Sequence, residues 1–457
     1  MNATKATMPS TSFPVRHAPR MSSTGLLGML PEMRDDPIGL FLRAREAHGD
    51  VVRLRLGPYP AMFIYHPDHV HHVLAGNAAN YAKQTRGYQM LRLVVGNGLV
   101  TSEGSFWKRQ RRIAQPAFHR ERIAGFHDVF VRASEDVVAR WTGASGPIDV
   151  AQEMNRLTLR IAGETLFGVD LSGDQDEVGQ ALTVVLHRFN DLVGSAMPWP
   201  ELWPTKKNRE FRAAMATMDR VVGDIIAERR KDPRPRNDLL AMFMEVKDED
   251  TGESMSDAEL RDEVMTMLLA GHETTANALA WTFWHLSKHP DVGRRLAAEL
   301  DTVLGDRPSP GLEHVRALTY TGQVLNESMR LNPPVWALAR KAVEDDEIGG
   351  YHVPKGTFVF MSQYAIHRHP DLWENPEGFD PDRFAGKPSR PRYAYFPFSG
   401  GQRQCIGDMF AQMEAVVVLS VLWRRFRFDL VPGHEVVPEP SVTLRPKYGV
   451  RMTLAAR

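Results

Sequence analysis

Residues 398–407 read Phe398-Ser399-Gly400-Gly401-Gln402-Arg403-Gln404-Cys405-Ile406-Gly407, and Cys405 is the only cysteine among the 457 residues. A single thiol forms neither an internal disulfide nor a multi-cysteine zinc site. Three roles remain: a buried apolar residue, a nucleophile, or a lone thiolate ligand to a metal. The neighbours favour the ligand. Gly400 and Gly401 allow positive φ and so let backbone N–H groups aim at a sulfur. Past Gly407 the pattern Asp408-Met409-Phe410-Ala411-Gln412-Met413-Glu414-Ala415 opens a helix, whose N-terminal dipole lowers the pKa of a nearby thiol. Phe398 covers the sulfur, and Arg403 adds a cation two residues before it. A shielded thiolate with amide donors and a fixed cation suits a haem iron, because the porphyrin propionates need a cation.

This stretch resembles the haem-binding signature of the cytochrome P-450 family, F-x-x-G-x-R-x-C-x-G, with Phe398, Gly401, Arg403, Cys405 and Gly407 all in place. The alternative is a structural cysteine in a glycine-rich turn. The resemblance implies a mainly α fold with small β-sheets, a triangular helical domain that encloses haem b (iron protoporphyrin IX), with Cys405 as the axial iron ligand.

The rest of the chain sets bounds on that expectation. No linker, repeat or charge block divides residues 1–457, so one domain is expected, with about 1–21 a flexible Ser/Thr/Pro-rich arm. Lys+Arg and Asp+Glu both number 56, and the formal net charge of zero argues against a nucleic-acid binder. One cysteine suits a reducing compartment. The N-terminal residues hold no apolar run of signal-peptide or membrane-span length. A soluble, cytoplasmic, bacterial-type member without a transmembrane anchor is therefore expected. Met197–Pro204, with two tryptophans among prolines, reads either as a packed loop or as a peripheral membrane contact.

Two β-like stretches, from Val51 and from Ala61, surround the turn at Gly57 and predict a hairpin. Beyond Pro67 helical periodicity dominates. The longest helix opens at Ser256, which forms a capping box with Glu259, and runs to His289, where Pro290 stops it. Strands are predicted at Arg340–Ala342, Thr357–Met361 and Arg451–Leu454.

Inside the long helix lies Ala270-Gly271-His272-Glu273-Thr274-Thr275. A mid-helix glycine costs about 1 kcal/mol relative to alanine, so Gly271 needs a reason such as the approach of a flat cofactor. A threonine hydroxyl bonded one turn back opens a helix to water. Glu273 and Thr274 resemble the family's acid–alcohol pair, which implies that they are catalytic and relay protons to dioxygen. The bland reading makes Glu273 solvated and Thr274 core, and His272 reads as packed. Glu327 and Arg330 sit at i and i+3 on one helix face. With Arg383 in Phe379-Asp380-Pro381-Asp382-Arg383-Phe384 they resemble the family's buried Glu–Arg–Arg lock, a structural element. Trp107 and Arg111 are one helical turn apart and resemble its W-x-x-x-R motif, which implies haem-propionate contacts, with Arg340 and Arg403 as further partners. Arg109, Arg112, Arg120, Arg122 and the run Arg424–Arg427 form either a solvated surface or a positive face for an acidic electron donor.

These resemblances imply a haem-thiolate monooxygenase. It would activate O2 and insert one oxygen atom into a hydrophobic small molecule, a fatty acid or a terpenoid or steroid. The chain ends about fifty residues past Cys405 with no flavin or iron–sulfur module, so electrons are expected from NAD(P)H through a ferredoxin or flavodoxin with its reductase. Val94, Leu268, Ala270, Val335, Ala337 and Val442 are expected to line the substrate pocket. Two alternatives stand beside this one. A haem-thiolate isomerase or peroxygenase of the same fold needs no electron donor, and a non-enzymatic haem or ligand-binding sensor consumes no reductant.

Overall fold

The computed structural model describes residues 16–457 apart from 24, 144–145, 170, 172–174, 194–202, 233, 235, 237, 248–251 and 387–389. The helix Asp257–Lys288 is its axis. Thirty-two residues at about 1.5 Å each give roughly 48 Å. The capping box is present: Glu259 N–H donates to Ser256 Oγ at 3.3 Å, and Ser256 N–H donates to Glu259 Oε2 at 2.7 Å. The helix ends at His289, just before Pro290. Val264, Leu268, Leu279, Ala280 and Phe283 are all fully buried, so this helix is apolar nearly all round, as a helix threaded through a core must be. The helix Asp408–Arg425 is also a core element, with Val417, Val418 and Leu422 inaccessible to solvent. The helix Thr319–Leu331 packs against both.

A five-stranded sheet covers one side. Val51–Leu56 and Tyr59–Ile64 form the predicted hairpin, with Leu56 opposite Tyr59 and Gly57 at φ +61° in the turn. Tyr59–Ile64 runs parallel to Phe358–Met361, which pairs antiparallel with Leu338–Ala342, and that strand pairs with Tyr81–Ala82. The sheet encloses a smaller core around Phe41, Phe63 and Val359, separate from the main helical core. Arg451–Ala456 lies between Phe426–Leu430 and Ile148–Asp149 in a second sheet.

The arm ends earlier than the sequence suggests. Residues 1–15 lie outside the described residues, but Arg53 N–H donates to Pro19 O at 2.9 Å and Met21 N–H to Arg53 O at 3.0 Å. Residues 16–21 are thus tied to the hairpin edge, and Ala18 is buried. Of Met197–Pro204, residues 197–202 also lie outside the described residues, while Trp203 is 56% exposed rather than packed. No helix among the described residues is long and apolar enough to cross a membrane.

Candidate active site

A cavity of about 880 Å³ lies between the long helix and the Cys405 segment. The long helix contributes a stripe to its wall: Met267, Ala270, Gly271, Thr274 and Ala278 recur at the three- and four-residue spacing of one helix face. Pro334–Arg340, the loop Ser441–Thr443 and the helix Arg86–Val95 supply further wall. The cavity reaches the surface near Leu30, Met33, Arg34 and Asp35.

Ala270, Val335, Ala337 and Val442 line this space as expected. Val94 and Leu268 do not. Both are buried in the main core, and the wall beside them is formed instead by Val95 and Leu91 and by Met267 and Leu269.

The cysteine loop folds by a different route from the expected one. Gly400 is extended at φ −170°, and the left-handed residues are Gly401 at +66° and Ser399 at +62°. Gly400 is small because a Cβ there would lie 2.4 Å from the Tyr393 ring, and at Gly401 a Cβ would lie 1.9 Å from Leu74 O. Cys405 N–H donates to Phe398 O at 2.9 Å, closing the loop, and Gly407 is the N-cap of Asp408–Arg425. Phe398, Cys405 and Gly407 all face the cavity. The thiol is accessible where the cavity opens over it. Burial pushes its pKa up, against the Gly407 N–H and, more weakly, Arg111, so the helix N-terminus alone does not make a thiolate. A metal does so by direct ligation.

The same cavity carries a group of cations, one buried and two half-buried. Arg340 and Arg403 are on the wall, and so is Lys83, which sequence reading missed. Burial, then Arg340 and Arg403, pull the Lys83 pKa far down; burial and Arg340 bring Arg403 to about 10. Their hydrogen bonds go to neutral acceptors: Lys83 to Val100 O at 2.8 Å, Arg403 to Ser102 O at 2.9 Å, Arg340 to Tyr88 Oη at 3.1 Å. Trp107 and Arg111 stand behind them. The Arg403 guanidinium lies 3.7 Å from the Trp107 ring centre, and Arg111 donates to Gln404 O at 2.9 Å. Mutually repelling cations that share an apolar cavity with one thiol fit a planar dianion carrying a metal. Haem, with two propionates and an iron open to a thiolate, is such a group. Arg340, Arg403 and Lys83 would hold the propionates, and Cys405 the iron.

On the opposite wall Thr274 Oγ1 donates to Ala270 O at 2.9 Å, the expected back-bond, within a helix that stays continuous. Glu273 is buried rather than solvated, and its Oε1 accepts from Thr443 Oγ1 at 2.8 Å. Burial raises its pKa, the Thr443 hydroxyl opposing, so it holds a proton to higher pH than an ordinary glutamate. Gly271 lines the cavity wall, and a Cβ there would lie 3.2 Å from Leu166 Cδ1, a contact that a small shift of that side chain relieves. His272 is packed, with Nδ1 2.7 Å from Leu268 O.

The lock is assembled. Arg330 donates to both Glu327 oxygens at 2.7 Å and to the carbonyls of His367, Pro376 and Gly378 at 2.9, 2.6 and 2.8 Å. Arg383 Nε reaches Glu327 Oε1 at 3.3 Å. The proposed positive face needs redrawing. Arg109 pairs with Glu259 at 2.6 Å and braces the start of the long helix. Arg424 is engaged with Leu300 O and Asp301 at 3.3 Å, and Arg427 with Asp429 at 2.9 Å. Lys108, Arg112, Arg120 and Arg122 remain exposed, and a second recess is lined by Trp107, Lys108, Arg111 and Arg112.

Comparison with known proteins agrees with this geometry. The family described as Cytochrome P450 matches residues 19–453. The chain is 38% identical over 409 residues to "Cyclooctatin synthase" of Streptomyces melanosporofaciens, covering 88% of each chain. It is 36% identical over 397 residues to "Cyclooctat-9-en-7-ol 5-monooxygenase" of the same organism, covering 86% of this chain and 85% of that one. To "Pentalenene oxygenase" of Streptomyces avermitilis it is 32% identical over 422 residues, covering 91% and 92%. With the family model spanning residues 19–453 and relatives above 30% identity covered over most of their length, this chain belongs to the cytochrome P450 family.

Proposed function

We propose that this monooxygenase hydroxylates a terpenoid, with electrons passed from NAD(P)H by a ferredoxin or flavodoxin and its reductase. The observation that carries the reading is the cavity wall: it is mostly apolar, with side chains such as Leu91, Val95, Met267, Val335 and Val442, and its polar groups along the long helix and facing loop are the buried acid Glu273 and a few hydroxyls, among them Thr274, Thr275 and Thr443. Such a wall binds a bulky hydrocarbon by burial and offers few polar groups to orient it. The names of two relatives, which specify cyclooctat-9-en-7-ol and pentalenene, point to the same class.

Bound haem supplies the reductive activation of dioxygen. The chain's own residues do the rest. Cys405 would hold the iron through Sγ, and Lys83, Arg340 and Arg403 would hold the propionates. Glu273 keeps a proton in a buried site, and Thr274 Oγ1 is positioned at the wall to pass it towards the reacting oxygen. The apolar wall excludes bulk water from that transfer. The presence of both acid and alcohol favours this reading over the donor-independent isomerase or peroxygenase. The exposed cations Lys108 and Arg120, on the sulfur side of the cofactor site, suit an acidic electron donor.

The test is a difference-spectrum screen of terpenoids, steroids and fatty acids against the ferric protein, followed by turnover of the best binders with ferredoxin, flavodoxin and reductase. Terpenoids should displace the resting ligand at the lowest concentrations and give a product heavier by one oxygen atom. Preferential binding and oxidation of fatty acids would overturn the substrate class. Full turnover with nicotinamide cofactor alone would overturn the external donor. Lys108→Glu and Arg120→Glu should each raise the donor concentration for half-maximal turnover at low salt and converge on wild type at high salt.

A further inference from the structure

The acid of the long helix is held by a residue more than a hundred positions away. Thr443 is buried at the end of the hairpin Pro438–Pro440 and Leu444–Pro446, and donates to Glu273 Oε1 at 2.8 Å. The same hydroxyl accepts from Asn277 Nδ2 at 3.0 Å, one turn further along the long helix. Asn277 thus fixes the direction of the Thr443 proton, because a hydroxyl that accepts from an amide turns its own hydrogen elsewhere. The hairpin is pinned on both sides. Trp281 Nε1 donates to Leu444 O at 3.0 Å, Trp336 Nε1 to Ser441 O at 2.9 Å, and Leu444 N–H to Pro334 O at 2.8 Å. Val442, between these anchors, is on the cavity wall next to Thr443.

We propose that Thr443 is a positioning residue for Glu273. The proposal rests on Glu273 acting as the proton source. The other charged group acting on Glu273 is Arg445, on the same hairpin, whose Nε is bonded to Glu439 Oε2 at 2.7 Å.

The experiment compares Thr443→Val, which keeps shape and loses the hydroxyl, with Thr443→Ser, which keeps the hydroxyl, in the haem-loaded protein. The first readout is the infrared carboxylic-acid C=O band of Glu273, identified by its loss in Glu273→Gln and titrated with pH. In Thr443→Val the band should move, as one hydrogen bond is removed, and persist to higher pH. Thr443→Ser should restore it. The second readout is product formed per reductant consumed, with the terpenoid that gives the largest spectral shift in the screen above. A drop of about three- to tenfold in Thr443→Val, the weight of one net hydrogen bond, with recovery in Thr443→Ser, is expected. If Glu273→Gln lowers the yield while Thr443→Val keeps both band and yield of wild type, the positioning role is overturned and the proton role of Glu273 stands. If Glu273→Gln itself leaves the yield unchanged, the reading beneath the proposal fails. Equal losses in Thr443→Val and Thr443→Ser would make the residue a packing element and overturn the proposal.

Discussion

Arg330→Lys keeps the charge of the most completely bonded side chain on the sulfur side and removes its geometry. Arginine offers five N–H donors and lysine three. All five arginine donors are used, on the two Glu327 oxygens and on three carbonyls, and neither Arg330 nor Glu327 has any solvent-exposed side-chain surface. Lysine therefore leaves at least two of these five bonds to buried or half-buried acceptors unmade. Each costs about 1–3 kcal/mol, so the variant should lose about 2–6 kcal/mol, a large share of the roughly 5–15 kcal/mol that holds a domain folded. The damage should reach the thiol. His367, whose carbonyl Arg330 holds, accepts the Phe396 N–H through its ring Nε2 at 3.1 Å, and Phe396 leads directly into the cysteine loop. Denaturant unfolding gives the stability, and the reduced carbon-monoxide spectrum gives the fraction of haem still bound to thiolate. Both should fall together. A variant within about 0.5 kcal/mol of wild type, the range of an ordinary surface change, and with a full thiolate band, would refute the claim that these bonds hold the cysteine loop in place.

Cys405→Ser should lose the red-shifted carbon-monoxide band, because no second cysteine exists to replace the ligand; a retained band would refute the ligation. Thr274→Ala should keep consuming reductant while product per reductant falls by roughly tenfold or more, the scale of a lost proton-transfer group, with hydrogen peroxide making up the difference. Unchanged yield would leave Thr274 a helix residue. Glu263 supplies a pH test. Burial, opposed by the Leu99 N–H and assisted by Asp262 and Glu259, raises its pKa to about 8. Its folded pKa exceeds the unfolded one, so its contribution to stability is present at acid pH and is lost as pH rises through about 8. Unfolding free energies at pH 5 and pH 9 should differ by a few kcal/mol less in Glu263→Gln than in wild type, and an identical difference would show that Glu263 ionises freely in the fold.

Much of this protein is local in origin and was therefore legible along the chain. The spacing of Phe398, Arg403, Cys405 and Gly407 marks the cysteine loop, because a loop and the following N-cap are shaped by their own few residues. The bounds of the long helix follow from Ser256, Glu259 and Pro290 for the same reason, and the Thr274 back-bond needs only its own turn. Other features depend on which distant surfaces meet. Lys83 joins the cavity's cations because Tyr81–Ala82 pairs with Lys341–Ala342 and brings it beside Arg340. Arg109 leaves the exposed basic set because the Trp107 helix docks where Glu259 waits. Val95 rather than Val94 reaches the cavity because helix rotation is set by packing partners, which a one-dimensional pattern leaves open by a residue. Gly400 is required by a Tyr393 ring, not by its own dihedral angle. Thr443 has no motif at all, since a hydroxyl becomes the partner of a buried acid only when the C-terminal hairpin closes over the long helix. Caps and turns are settled by neighbours in sequence, whereas the partner of a buried charge is settled by neighbours in space, and only the tertiary structure chooses those.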